Sequence, residues 1–91
     1  MASSSLIPER NQRIIDAGKA LYGELWQRRL ALKCGLSQQY VNFIARGSRP
    51  VTDDVDRKVA DALKRESKRL YEVQKVIERA RALILRDLGT R

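Results

Sequence analysis

Between positions 38 and 46 stand four side chains able to recognise a nucleobase by hydrogen bonding, Gln38, Gln39, Asn42 and Arg46, with Phe43 among them. Carboxamide and guanidinium groups each hold two polar atoms in one plane. They can therefore pair with the adenine or guanine edge exposed in the major groove of a duplex. This is recognition chemistry, in which no bond is made or broken. At about 100° per residue, these five residues fall on one arc of about 140°, while Tyr40, Val41, Ile44 and Ala45 take the opposite side. The apolar side predicts a buried face and the amide side an open one. Gln38, Gln39 and Asn42 are the candidates for base contact. Phe43 can touch a thymine methyl or pack on the loop that follows, and packing is the favoured reading because apolar groups generally find protein neighbours.

Such a face is useful only if a second element holds it outward, and residues 27–47 supply one. The pattern predicts helices over 25–33 and 37–46 joined by a tight turn, the helix-turn-helix arrangement. Ala31 is small where the two helices cross, Gly35 suits a positive φ in the turn, Leu36 plugs the turn, and Val41 and Ile44 face inward. These positions are structural whatever the face does. Ser37 can cap the second helix for about 1 kcal/mol, with Tyr40 standing where a reciprocal capping box would have Glu or Gln. Gly47 suits the end of that helix. Arg46 and Arg49, at the end of the helix and in the next loop, are placed for phosphates, as is Arg28 in preference to Arg29.

Residues 8–23 predict a further helix, with Pro8 in its first turn, Ile14, Ile15, Gly18, Leu21 and Tyr22 at helical spacing, and Gly23 at its end. Residues 1–7 are expected to form a flexible tail that makes no DNA contact. After Arg49 and Pro50, Thr52 is a good N-cap, and Asp53 and Asp54 suit the positive end of a helix dipole. No Gly or Pro follows until Gly89, so residues 52–88 read as one helix or as two with a joint near Ser67. A single helix would be about 55 Å long, too long to pack fully on a small domain. Leu63, Leu70, Ile77 and Ile84 recur every seven residues with Val59, Val73 and Ala80 beside them, while Glu66 and Asp87 interrupt the second seam. Val76 and Leu83 widen the stripe. The expected use is a short antiparallel or bundle-like dimer interface through Leu70, Val73, Ile77, Ala80 and Ile84. Trp26 and Tyr71 read as core or interface aromatics, and Cys34 as a buried small apolar residue.

Through Gln27, Leu30, Ala31, Gly35, Leu36, Ser37, Val41, Ile44 and Gly47 the chain resembles the lambda-repressor and Cro family of helix-turn-helix regulators. The resemblance implies an all-α fold of about four helices, with a DNA-binding domain over 8–65 and a helical extension over 66–91. It also implies that Gln27 contacts a phosphate and braces Gln38, and it supports Gln39 and Asn42 as base readers. The implied function is a dimeric, sequence-specific repressor of a phage or mobile-element promoter, bound to an inverted repeat in double-stranded DNA. The extension lies outside what the family domain requires.

Composition narrows the classes. The chain has 91 residues, 19 Lys and Arg against 11 Asp and Glu, one cysteine and no histidine. A net charge of +8 favours a nucleic acid, an anionic membrane or an acidic partner. Residues 1–51 hold 8 basic and 3 acidic side chains, and residues 52–91 hold 11 and 8, so the larger excess lies with the motif. The eight acids of the second part argue against a membrane-surface helix, and alternating charge there reads as a solvated surface with local ion pairs. No constellation supports catalysis, a metal, a cofactor or a small-molecule substrate. The absence of a long apolar run or signal-peptide core leads us to expect a cytoplasmic protein. The alternative is a protein-interaction module, an antitoxin or antiactivator, that uses its C-terminal helix to capture another protein.

Overall fold

Pro8, Gly23, Gly35, Gly47 and Pro50 punctuate the first half of the chain in the computed structural model, which describes residues 7–90. Between and after them lie four α-helices: α1 (Glu9–Tyr22), α2 (Trp26–Cys34), α3 (Gln38–Arg46) and α4 (Asp53–Gly89). Every regular element among the described residues is helical, so the fold is all-α with a long C-terminal helix.

Each boundary has a local cause. Pro8 precedes α1 in an extended conformation (φ −57°, ψ 148°), one position ahead of the expected first turn, and its carbonyl accepts from the Gln12 N–H at 3.0 Å. After α1, residues Gly23–Leu25 form a 3-10 turn, so α2 begins at Trp26 and not at Leu25 as the sequence suggested. Burial of Trp26 explains the shift, because its ring lies against Gly18 of α1. A β-carbon added at Gly18 would stand 2.3 Å from Trp26 Cε3, so only glycine allows this approach.

At the end of α2, Gly35 takes φ 70° and ψ 32°, the left-handed conformation that penalises any residue with a β-carbon. There the Leu36 N–H bonds to the Ala31 carbonyl at 2.9 Å and the Gly35 N–H to that of Leu32 at 3.4 Å. The end of α3 repeats the pattern, with Ser48 N–H to Phe43 and Gly47 N–H to Ile44, both at 3.0 Å. The N-termini carry the expected caps: Ser37 Oγ accepts from the Tyr40 N–H at 3.0 Å, and Thr52 Oγ1 from the Val55 N–H at 3.2 Å.

The core lies where the four helices meet. It consists of Ile14 and Ile15 of α1, Trp26, Leu30, Ala31 and Cys34 of α2, Val41 and Ile44 of α3, and Val51, Val55, Val59 and Ala62 at the start of α4. Ile7 packs on its edge, so the last residue of the expected tail belongs to the folded part; residues 1–6 of that tail lie outside the described residues. Burial along α4 ends at Glu66, and every residue from 67 to 90 is exposed. The helix nevertheless continues unbroken for 37 residues, with no joint at Ser67, and the molecule reaches 59 Å in its longest dimension.

Candidate nucleic-acid interface

Helix α3 is split between two environments. Val41 and Ile44 are wholly buried, Tyr40 and Ala45 half-buried, and Gln38, Gln39 and Arg46 exposed. Two polar contacts seat the helix. Asn11 of α1, itself fully buried, donates from Nδ2 to the carbonyls of Ile44 (3.1 Å) and Arg49 (3.0 Å), which ties the end of α3 to the following loop. The Tyr40 hydroxyl donates to the Pro50 carbonyl at 3.3 Å. Together they hold the amide face at a fixed angle to α1.

Asn42 departs from a simple exposed position. It is half-buried and donates from Nδ2 to Gln27 Oε1 of α2 at 3.1 Å. The brace thus runs from Gln27 to Asn42, and no hydrogen bond joins Gln27 to Gln38 among the described residues. The resemblance had implied the latter, but position 42 lies one turn further along α3, where the two helices still face each other. Chemically the pairing leaves both partners useful. An amide nitrogen carries two hydrogens, so Asn42 keeps one N–H and its whole Oδ1, the donor and acceptor that an adenine edge needs. Gln27 has committed its acceptor and keeps its Nε2 donors, which suit a phosphate oxygen.

Phe43 is half-buried, and two guanidinium groups lie over its ring. Arg49 sits 5.0 Å and Arg46 5.5 Å from the ring centroid, within the range of a cation–π contact. The ring therefore holds two cations together at the C-terminal end of α3 and is engaged with protein. At the other end, a groove of about 560 Å³ lies between Gln27, Arg28, Arg29 and Leu32 of α2, the Glu24–Leu25 turn and Gln38. Arg28 and Arg29 are both exposed. The surface thus runs from arginines on α2, across the amides of α3, to Arg46 and Arg49.

The residues expected at a dimer interface sit elsewhere, on the projecting part of α4. Leu70, Val73, Ile77 and Ile84 are 39–59% exposed, and Ala80 is exposed beside them. Val76 and Leu83 extend the same apolar surface. It runs into a groove of about 500 Å³ walled by Ala17, Ala20 and Leu21 of α1 and by Leu63, Leu70 and Tyr71 of α4. Tyr71 is 59% exposed, with Lys75 Nζ 5.0 Å from its ring centroid.

Four interactions are not legible in the sequence. Besides the Asn11 clamp and the Gly18–Trp26 approach, Arg10 of α1 bonds Asp53 at 2.8 Å and also Asp56, fastening the N-termini of α1 and α4. The fourth is Glu66, whose side chain is only 7% exposed; it accepts from the Tyr22 hydroxyl at 3.0 Å and from Arg69 Nη2 at 3.1 Å, with Lys33 Nζ at 4.0 Å. The Arg69 hydrogen bond holds its carboxyl below the usual carboxylate range, although burial acts the other way. Burial, and then the Glu66 contact, pushes the Tyr22 hydroxyl up. What reads as a fault in the apolar seam is the last anchor of α4 on the domain. An isolated acid in an apolar stripe, with Arg69 one turn on, is the signal that could disclose it. Cys34 is buried as expected, and burial raises its thiol pKa.

Among the described residues, no group of three or more His, Cys, Asp or Glu side chains is placed to hold a metal ion, and no helix is long and apolar enough to cross a membrane. In comparisons with known proteins, no family model, curated protein or solved structure matches the chain.

Proposed function

We propose that the chain is a sequence-specific DNA-binding transcriptional regulator of the lambda-repressor and Cro type, acting as a dimer. One observation carries the proposal: α3 is anchored by fully buried Val41 and Ile44 while its other face presents Gln38, Gln39 and an Asn42 already oriented by Gln27. Pre-oriented amides lose less entropy on pairing with base edges than free ones do. Gln27, Arg28, Arg46 and Arg49 serve the flanking phosphates, and repression follows from occupying promoter DNA. The apolar surface from Leu70 to Ile84 takes a second copy of the chain, which sets the distance between two α3 helices.

Selection of bound fragments from a genomic library tests this reading. The enriched fragments should share an inverted repeat whose half-sites lie about 10 base pairs apart or a multiple of that. Recovery of fragments with no common sequence would overturn sequence-specific recognition. A second reading, capture of a different protein by α4, is favoured by the same exposed apolar residues. It would gain if the purified chain were monomeric at every concentration tested.

A further inference from the structure

The outer face of α4 carries an ordered array of cations that the proposed function does not use. Residues Arg57, Lys64, Lys68, Lys75, Arg79 and Arg86 are all exposed, at spacings of seven, four, seven, four and seven. At about 100° per residue they fall within an arc of about 60°, on the side away from the Leu63, Leu70, Ile77 and Ile84 line, with Val76 and Leu83 between the two, and at about 1.5 Å per residue they form a ridge about 44 Å long. Asp61 falls on the same arc, four residues after Arg57 and three before Lys64, while Glu72 flanks the ridge on one side and Glu78 on the other. Yet the α4 acids that do form ion pairs engage other cations: Asp53 and Asp56 bind Arg10, Asp54 binds Lys58, and Glu66 binds Arg69 and Lys33. Among the described residues no carboxylate lies within 4.0 Å of any of the six. The six cations outnumber the acids interleaved with them, Asp61, Glu72 and Glu78, and none of the six is held in an ion pair among the described residues, so the face keeps a net positive charge free to meet another molecule.

We propose that this ridge is a second, sequence-independent nucleic-acid contact, in which the exposed cations of α4 track the phosphate backbone of duplex DNA. A duplex presents one charge per about 1.7 Å of axis, a linear charge density to which an extended row of cations is complementary. The ridge lies opposite the residues through which α4 packs on α1 and α2, so it is a surface separate from that packing. An anionic membrane fits less well, because a helix lying on lipid buries its apolar stripe and would turn this ridge toward water. The contact does not depend on α3 reading bases.

The test uses the full chain and a random-sequence duplex of about 40 base pairs, with affinity measured by fluorescence anisotropy across a salt series. Replacing Lys64, Lys68, Lys75 and Arg79 together by Gln should reduce the slope of log affinity against log salt by roughly 2 to 4, since each phosphate contact contributes about 0.9. Circular dichroism should show the helix retained, because Gln and Lys have similar helix propensity. Changing the three lysines to Arg should keep the parent slope. An unchanged slope in the Gln variant overturns the proposal, as does binding of phosphatidylserine vesicles but not duplex by the parent chain. Gln38→Ala/Gln39→Ala should leave the slope on random duplex nearly intact. If that variant also keeps full preference for a selected site, base reading by α3 fails while the ridge stands.

Discussion

The hydrogen bond between Asn42 Nδ2 and Gln27 Oε1, at 3.1 Å, makes a quantitative claim about how the α3 face is organised. Asn42→Ala removes an amide placed for a purine edge, and a paired contact of this kind contributes about 1–3 kcal/mol of discrimination. Gln27→Ala leaves Asn42 in place but frees its rotamer. The bond is neutral and half-buried, so its removal should weaken specific binding by about 0.5–1.5 kcal/mol, on top of what Gln27 itself gives to a phosphate. Once Asn42 is gone, Gln27 has nothing to orient, and only its phosphate term remains. A double-mutant cycle on a selected operator should therefore show a coupling of about 0.5–1.5 kcal/mol, measured by anisotropy at fixed salt, with thermal unfolding of all four proteins as a control. Additivity within about 0.3 kcal/mol would refute the idea that Gln27 pre-orients Asn42 for a base.

Three other outcomes follow. Gly18→Ala puts a β-carbon 2.3 Å from Trp26 Cε3, so overpacking should destabilise by about 1–3 kcal/mol, partly offset by about 1 kcal/mol of helix propensity; thermal unfolding reads the net loss. Because the Glu66 carboxyl is held below its ordinary range, its contribution is present at neutral pH and is lost as pH falls through its lowered folded pKa, beneath the usual glutamate range. Glu66→Gln should thus be less stable at neutral pH and should lose less additional stability on acidification, as denaturant midpoints across about pH 3–7 will show. Leu70→Glu/Ile77→Glu places charge on the exposed apolar stripe and should yield a monomer by sedimentation while α1 to α3 stay folded; a dimer of undiminished affinity would refute that interface.

Local physics made much of the fold legible. Ser37 and Thr52 announce helix starts through side chains that bond the backbone three residues on, and Gly35 and Gly47 announce helix ends through a conformation that costs other residues energy. Such signals operate within one turn of chain. The interactions that sequence reasoning missed join residues far apart in the chain: Asn11 to Ile44 and Arg49, Arg10 to Asp53 and Asp56, and Tyr22 to Glu66. Nothing at position 11 alone says that its amide will be buried, because burial is decided by where α3 ends in space. The candidate face was legible for the same reason as the caps, since the period of α3 separates Gln38 and Gln39 from Val41 and Ile44. Periodicity could not tell that Asn42 would turn toward Gln27, or that Phe43 would lie under two arginines.

The central claim is that the open face of α3 reads bases, and one comparison addresses it directly. Gln38→Ala/Gln39→Ala should lose about 1–3 kcal/mol or more on the selected operator while affinity for random duplex barely changes, because amides contribute to discrimination and cations to general attraction. Equal loss on both DNAs would contradict base reading by α3.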